Sequence, residues 1–128
     1  MSSQTDYEER IIVVNGYKDG WIGDSTVYIG RPNHKLGLSG SPLANCFIIG
    51  RDGNRHEVCK KFELKLQDEI SKGTKSEIYT ELLKIAKLLN SGKSKFVKLA
   101  CYCKPQECHG DSIKRAIIWL MENQNEKN

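Results

Sequence analysis

Phe96-Val97-Lys98-Leu99-Ala100-Cys101-Tyr102-Cys103-Lys104-Pro105-Gln106-Glu107-Cys108-His109-Gly110-Asp111 is the stretch that decides how this chain folds. Its first part is apolar enough for a buried strand, and Ile113, Ala116, Ile117 and Leu120 follow at helical spacing. A strand therefore turns into a helix where three of the five cysteines and one of the three histidines meet. The unpaired N–H groups at a helix start attract anions and favour a thiolate. Soft sulfur and imidazole donors in one turn also suit a metal. This turn is the expected working centre.

The rest of the chain supplies partners for that strand and helix. Ile11-Ile12-Val13-Val14 is β-branched and reads as an early buried strand. Thr26-Val27-Tyr28-Ile29 reads as a second, stopped by Gly30-Arg31-Pro32. Glycines at 37 and 40 and Pro42 mark a loop before Leu43 to Ile49, whose later half is expected to be extended. After the Asp52-Gly53 turn, Val58, Cys59, Phe62, Leu66 and Ile70 keep helical spacing from about Arg55, up to Gly73. Ser76 can cap the next helix, with Tyr79, Leu82, Leu83, Ala86, Leu88 and Leu89 as its apolar side. The last helix is expected over about 110–122. Strands early, helices in the middle, then strand and helix again predict a two-layer or three-layer α/β sandwich with a small, mainly parallel sheet. The expected organisation is a flexible terminus over 1–10, one α/β domain over 11–122 and a flexible terminus over 123–128.

Composition excludes several classes. With 38% hydrophobic and 28% charged residues, the 128-residue chain resembles a globular domain and not a disordered one. No apolar run approaches the roughly 20 residues that cross a bilayer, so no membrane partner is expected. Met1 to Arg10 is polar and acidic, unlike a signal peptide, and a cytoplasmic location is the expectation. An odd number of clustered cysteines argues for metal or catalytic use over a disulfide scaffold. The net charge of +4 gathers late, at Lys84, Lys87, Lys93, Lys95 and Lys98. No zinc-finger spacing, recognition helix or Arg-rich arm accompanies it, so nucleic acid is not the expected partner.

Two constellations carry candidate chemistry. In the first, Cys103 or Cys108 is a reactive thiolate and His109 transfers a proton; spacing leaves open which sulfur attacks. Asp111 either caps the final helix or orients His109 or a sugar hydroxyl of the ligand. Cys101, Cys103, Cys108 and His109 also make a chemically sound zinc set, although adjacent ligands at 108 and 109 demand a special turn. Cys59 has the phase of a buried thiol, and Tyr102 points away from its cysteine neighbours. The second constellation is Gly30-Arg31-Pro32-Asn33-His34 with the loop over 37–45. Its glycines let backbone N–H groups face phosphate or ribose oxygens, and Arg31 offers a two-pronged contact to an anion. Ser39, Ser41 and Asn45 add neutral polar contacts. His34 and His56 read as solvent-side residues.

Tyr28-Ile29-Gly30-Arg31-Pro32, Ser41 through Gly53, and Cys101-Tyr102-Cys103-Lys104-Pro105 with Cys108-His109-Gly110-Asp111 resemble the domain-of-unknown-function 4326 family of bacteria and their phages. The likeness spans roughly residues 11–120. The family's usual Asn-Pro-Phe stands here as Asn45-Cys46-Phe47, which costs local loop rigidity. The resemblance implies a Rossmann-like α/β layout of the kind that handles nucleotides, with both constellations facing one pocket.

The reading reached is binding and processing, by hydrolysis or group transfer, of a nucleotide or nucleoside derivative, with no cofactor required. The alternatives are a non-catalytic protein that binds or sequesters a nucleotide signal, and a zinc-stabilised structural protein. Domains of this size often pair a flat helix or sheet face, which makes a homodimer a further candidate assembly.

Overall fold

The β-branched run forms β1 (Ile11–Asn15), followed by β2 (Thr26–Tyr28) and β3 (Val97–Cys101). The computed structural model describes residues 3–92 and 94–127. All three strands are parallel in the order β1-β3-β2, so the latest strand in the chain is the central one. Ile11 stands beside Val97, and Val13 and Val27 stand on either side of Leu99. Val97, Leu99, Ala100 and Cys101 are all buried. A central parallel strand is covered on both faces, which is why four of its five residues are buried, with Lys98 half-buried among them.

The helices are α1 (Ser3–Arg10), α2 (Gly16–Asp19), α3 (Arg55–Ser71), α4 (Glu77–Asn90) and α5 (Gly110–Lys127). The start of α3 is set by a reciprocal pair of bonds. Asn54 Oδ1 accepts the Glu57 N–H at 2.9 Å, and the Asn54 N–H donates to Glu57 Oε1 at 2.8 Å. Ser76 Oγ accepts the Tyr79 N–H at the start of α4, as expected. On α3, Val58, Cys59, Phe62 and Leu66 are buried, and α5 packs on β1 and β3 while also touching α1, α3 and α4. Truncating Phe62, fully buried in that core, to Ala is expected to cost about 3–5 kcal/mol. Among the described residues, no helix is long and apolar enough to cross a membrane.

Four local expectations change. Ser3–Arg10, expected to be a flexible terminus, is a helix with Tyr7 buried in the core. Arg10 ties it down by donating to the Leu89 and Lys95 carbonyls, each at 2.7 Å. The last helix continues past 122 to Lys127, while residues 1, 2 and 128 of the expected termini lie outside the described residues. The segment over 43–49 is a loop and not a strand. Asn45 Oδ1 accepts the Phe47 N–H and Asp52 Oδ2 accepts the Ile48 N–H, so side chains occupy donors that a ladder would need. On α4 the deeply buried side includes Ile78 and Ile85, with Tyr79, Leu83 and Leu88 only flanking it. Of the late lysines, Lys93 lies outside the described residues.

Candidate functional site

Parallel α/β sheets leave a crevice beyond the carboxyl ends of their strands. Here β2 and β3 end at such a crevice, a cavity of about 390 Å³. Gly30 and Arg31, which follow β2, form part of its wall, with Asn45 from the loop and Arg55 from the start of α3. Cys101, Cys103, Cys108 and His109 line it from the β3–α5 turn. The cysteine turn and part of the second constellation, Gly30 to Asn33 and Asn45, share one cavity.

Cys108 is the hub of the sulfur wall. It is buried, accepts the Gly110 N–H at 3.1 Å, and is hydrogen-bonded to the thiols of both Cys101 and Cys103. Those bonds, first to Cys101 and then to Cys103, with burial added, hold its proton far above the ordinary thiol range. The bond from Cys108 draws Cys103 down to about 6, against its burial, and the Arg55 guanidinium and Lys104 charge assist. The same donor draws Cys101 down to about 7. Cys108 has a single S–H proton and can serve one thiolate at a time. Cys103 is favoured because Arg55 supports its negative charge, whereas Cys101 is buried at the end of the central strand. Cys103 is therefore the thiol of the trio whose proton is held most weakly. Cys59, buried on α3, is pushed up to about 11 by burial and stays a thiol.

His109 is held neutral, because burial disfavours its charged form and the nearby Arg31 charge adds to that effect. A carbonyl can only accept, so the 2.8 Å contact with Ile29 O assigns the proton to Nε2. Nδ1 is left as an acceptor, 3.9 Å from Cys108 Sγ. The ring meets Phe62 edge-on at 5.0 Å. His109 is thus fixed on both sides and faces the sulfur hub with a lone pair.

Other sequence candidates stand elsewhere. Asp111 does not reach His109: it pairs with Lys104 Nζ at 2.7 Å, accepts the Cys108 N–H at 3.4 Å, and borders a separate polar cleft. Its place near the positive end of α5 makes it a helix-start residue. Ser41 Oγ accepts the Leu43 N–H and the Ser41 N–H donates to Gly30 O, so Ser41 shapes the loop without lining the cavity. Ser39 is exposed and likewise outside the lining. Asn45 lines the cavity while Nδ2 donates to Val58 O at 3.3 Å, which pins the loop to α3. His109 Nε2 is committed to Ile29 O, and among the described residues no group of three His, Cys, Asp or Glu is placed to hold a metal ion. His34 is exposed, and His56 Nδ1 sits 3.2 Å from the Glu107 carboxylate.

Arg55 is the main residue missed by sequence reasoning. It looks like an ordinary helix-start cation, and nothing in its spacing links it to Cys103. The Asn54–Glu57 capping pair was the only signal, because it fixes where α3 begins. Tyr102, expected to point away from its cysteine neighbours, lines the same cavity as they do, together with Asn33. Arg31 makes no hydrogen bond or ion pair with its side chain among the described residues, which leaves a free guanidinium at the cavity wall.

Neither a curated protein nor a solved structure matches this chain. A family model does match, over residues 13–119, and this span contains every cavity residue described above. The chain belongs to the family described as domain of unknown function DUF4326.

Proposed function

We propose that this protein binds a nucleotide or nucleoside derivative in the cavity beyond β2 and β3 and cleaves or transfers it through Cys103. The observation that carries the reading is that a cation-supported thiol, a proton-holding thiol and an unpaired guanidinium share that wall. Arg31 takes the anionic or polar part of the ligand. The Cys103 thiolate attacks the electrophilic carbon or phosphorus, and its new bond to sulfur forms as the bond to the leaving group breaks. The electron pair departs with the leaving group, which takes its proton from Cys108. Water then displaces sulfur, returning Cys103 as thiolate and its own proton to Cys108, so the cycle closes. Between the two steps Cys108 is itself a thiolate, and the Gly110 N–H that it accepts at 3.1 Å supports its charge.

The test is incubation with a panel of nucleosides and nucleotides, read by chromatography and mass. Cys103→Ser should lower turnover by at least about 100-fold with the fold intact, while Cys101→Ser retains most of it. Turnover that persists in Cys103→Ser removes the proposed chemistry. A second reading, binding without chemistry, is favoured by one observation: Asp111 is bound to Lys104 and does not assist His109. Ligand recovered unchanged after prolonged incubation supports that reading.

A further inference from the structure

The cavity has an aromatic rim that the sulfur chemistry does not use. Tyr102, one of its lining residues, belongs to a cluster with Tyr17, Trp21 and Tyr28. Its ring centroid lies 4.6 Å from that of Trp21 and 6.0 Å from that of Tyr28. Tyr17 meets Trp21 edge-on at 5.0 Å. Four rings from three separate segments therefore converge at the carboxyl end of the sheet.

These rings are not core residues. Tyr17 is 68% exposed and Tyr102 37%, and the neighbouring Ile22 is 75% exposed. Their orientation is nevertheless fixed. The Trp21 indole lies so close to Gly16 that a Cβ there would come within 2.1 Å of it. The Tyr28 and Tyr102 hydroxyls bond at 2.7 Å, Asn33 Nδ2 donates to Tyr102 Oη at 3.1 Å, and the Tyr28 hydroxyl donates to the Arg31 carbonyl. Burial, with the Tyr102 bond second, keeps Tyr28 protonated well above the ordinary phenol range, so this web persists at neutral pH. A partly exposed aromatic surface held by these bonds leaves π-faces and edges available to a flat ligand, and the last of the residues in the web carries the free guanidinium.

We infer that this rim is a base subsite: the heteroaromatic base of a nucleoside monophosphate packs against Tyr102 and its aromatic neighbours while Arg31 holds the phosphate. The inference rests on the nucleotide reading of the cavity and adds how the ligand is oriented. Two features commit the occupant to a mononucleotide. The rim is continuous with the cavity through Tyr102, and Arg31 supplies charge complementary to a phosphate beside it. Aromatic stacking is tolerant of base identity, so the subsite supplies affinity for bases as a class and leaves choice among them to polar contacts such as Asn33.

The experiment exploits the presence of only two tryptophans, Trp21 and Trp119. Trp119 lies on α5 beside a different cleft, so Trp119→Phe leaves Trp21 as the sole indole reporter. The four common nucleoside 5′-monophosphates and ribose 5-phosphate are titrated by fluorescence and calorimetry. At least one monophosphate is expected to bind about tenfold or more tightly than ribose 5-phosphate and to perturb Trp21 emission. Tyr102→Leu should reduce that nucleotide to the affinity of ribose 5-phosphate while ribose 5-phosphate itself binds as before, which also serves as the folding control. Tyr102→Phe, which keeps the ring, should retain most of the preference. Equal affinity for ribose 5-phosphate and every monophosphate overturns the base subsite and leaves the cavity reading standing. Binding of no probe overturns both. A single-stranded oligonucleotide binding far more tightly than any monophosphate overturns the mononucleotide occupant.

Discussion

His109 donates its Nε2–H to the carbonyl of Ile29 across 2.8 Å, joining the residue before α5 to the residue after β2. These residues are 80 positions apart in the chain. The bond closes the cavity wall between the cysteine turn and the Arg31 segment. It also dictates the tautomer that turns Nδ1 toward Cys108.

That placement makes stability depend on pH with a definite sign. Burial lowers the folded pKa of His109 below its ordinary 6.5, so the unfolded chain takes up a proton that the native state refuses. Stability should fall as pH drops from about 7 to 5 and be indifferent to this group above that window. Urea unfolding across the range should show a shallower pH slope in His109→Gln than in the parent. Equal slopes would show that His109 does not titrate as the geometry requires.

Cys103 should react before the other cavity thiols. In a Cys46→Ser background, which removes the exposed cysteine, its alkylation by iodoacetamide should rise with a midpoint near the value of about 6 set by Cys108 and Arg55. Arg55→Met should move the midpoint upward, toward that of an ordinary thiol. Peptide mass mapping identifies the labelled sulfur. Preferential labelling of Cys101 would reverse the assignment of the thiolate.

Gly110 has a packing role that no local rule reveals. A Cβ at this position would lie 2.8 Å from Val13 Cγ1 and 2.9 Å from Ile29 Cδ1. Gly110→Ala must therefore push the start of α5 away from the sheet. A loss of about 1–3 kcal/mol in chemical denaturation is expected, with slower Cys103 alkylation because the sulfur hub shifts with the helix. Unchanged stability would mean the sheet yields at little cost.

Asp111→Asn separates the helix-start role from a catalytic one. Removing the charge weakens the 2.7 Å pair with Lys104 and the favourable interaction with the positive end of α5. Stability should drop by about 0.5–1.5 kcal/mol, while the pH midpoint of Cys103 alkylation moves little. A large change in that midpoint would place Asp111 back in the reactive machinery.

Much of the secondary structure is legible because its signals are local. The run at 11–14 and the stretch at 97–101 show strand character through side-chain type, and Ser76 marks a helix start through a bond to a backbone three residues on. The first helix is different. Ser3–Arg10 carries a single large apolar residue among those described, Tyr7, and its anchors are the Leu89 and Lys95 carbonyls contributed by distant segments. The loop over 43–49 fails as a strand for the opposite reason: Asn45 and Asp52 satisfy the backbone donors locally before any ladder can.

By itself the sequence determined the parallel α/β architecture and named the cysteine turn and the Arg31 loop as the places where chemistry collects. Those features depend on side-chain periodicity and on neighbours within a few residues. Only the tertiary structure decided that the Cys103 thiol is drawn down, that Arg55 helps to draw it, that Asp111 faces Lys104, and that Tyr102 joins the cavity to an aromatic rim. Electrostatic and packing energies fall with distance through space, and distance through space is what the chain order does not contain.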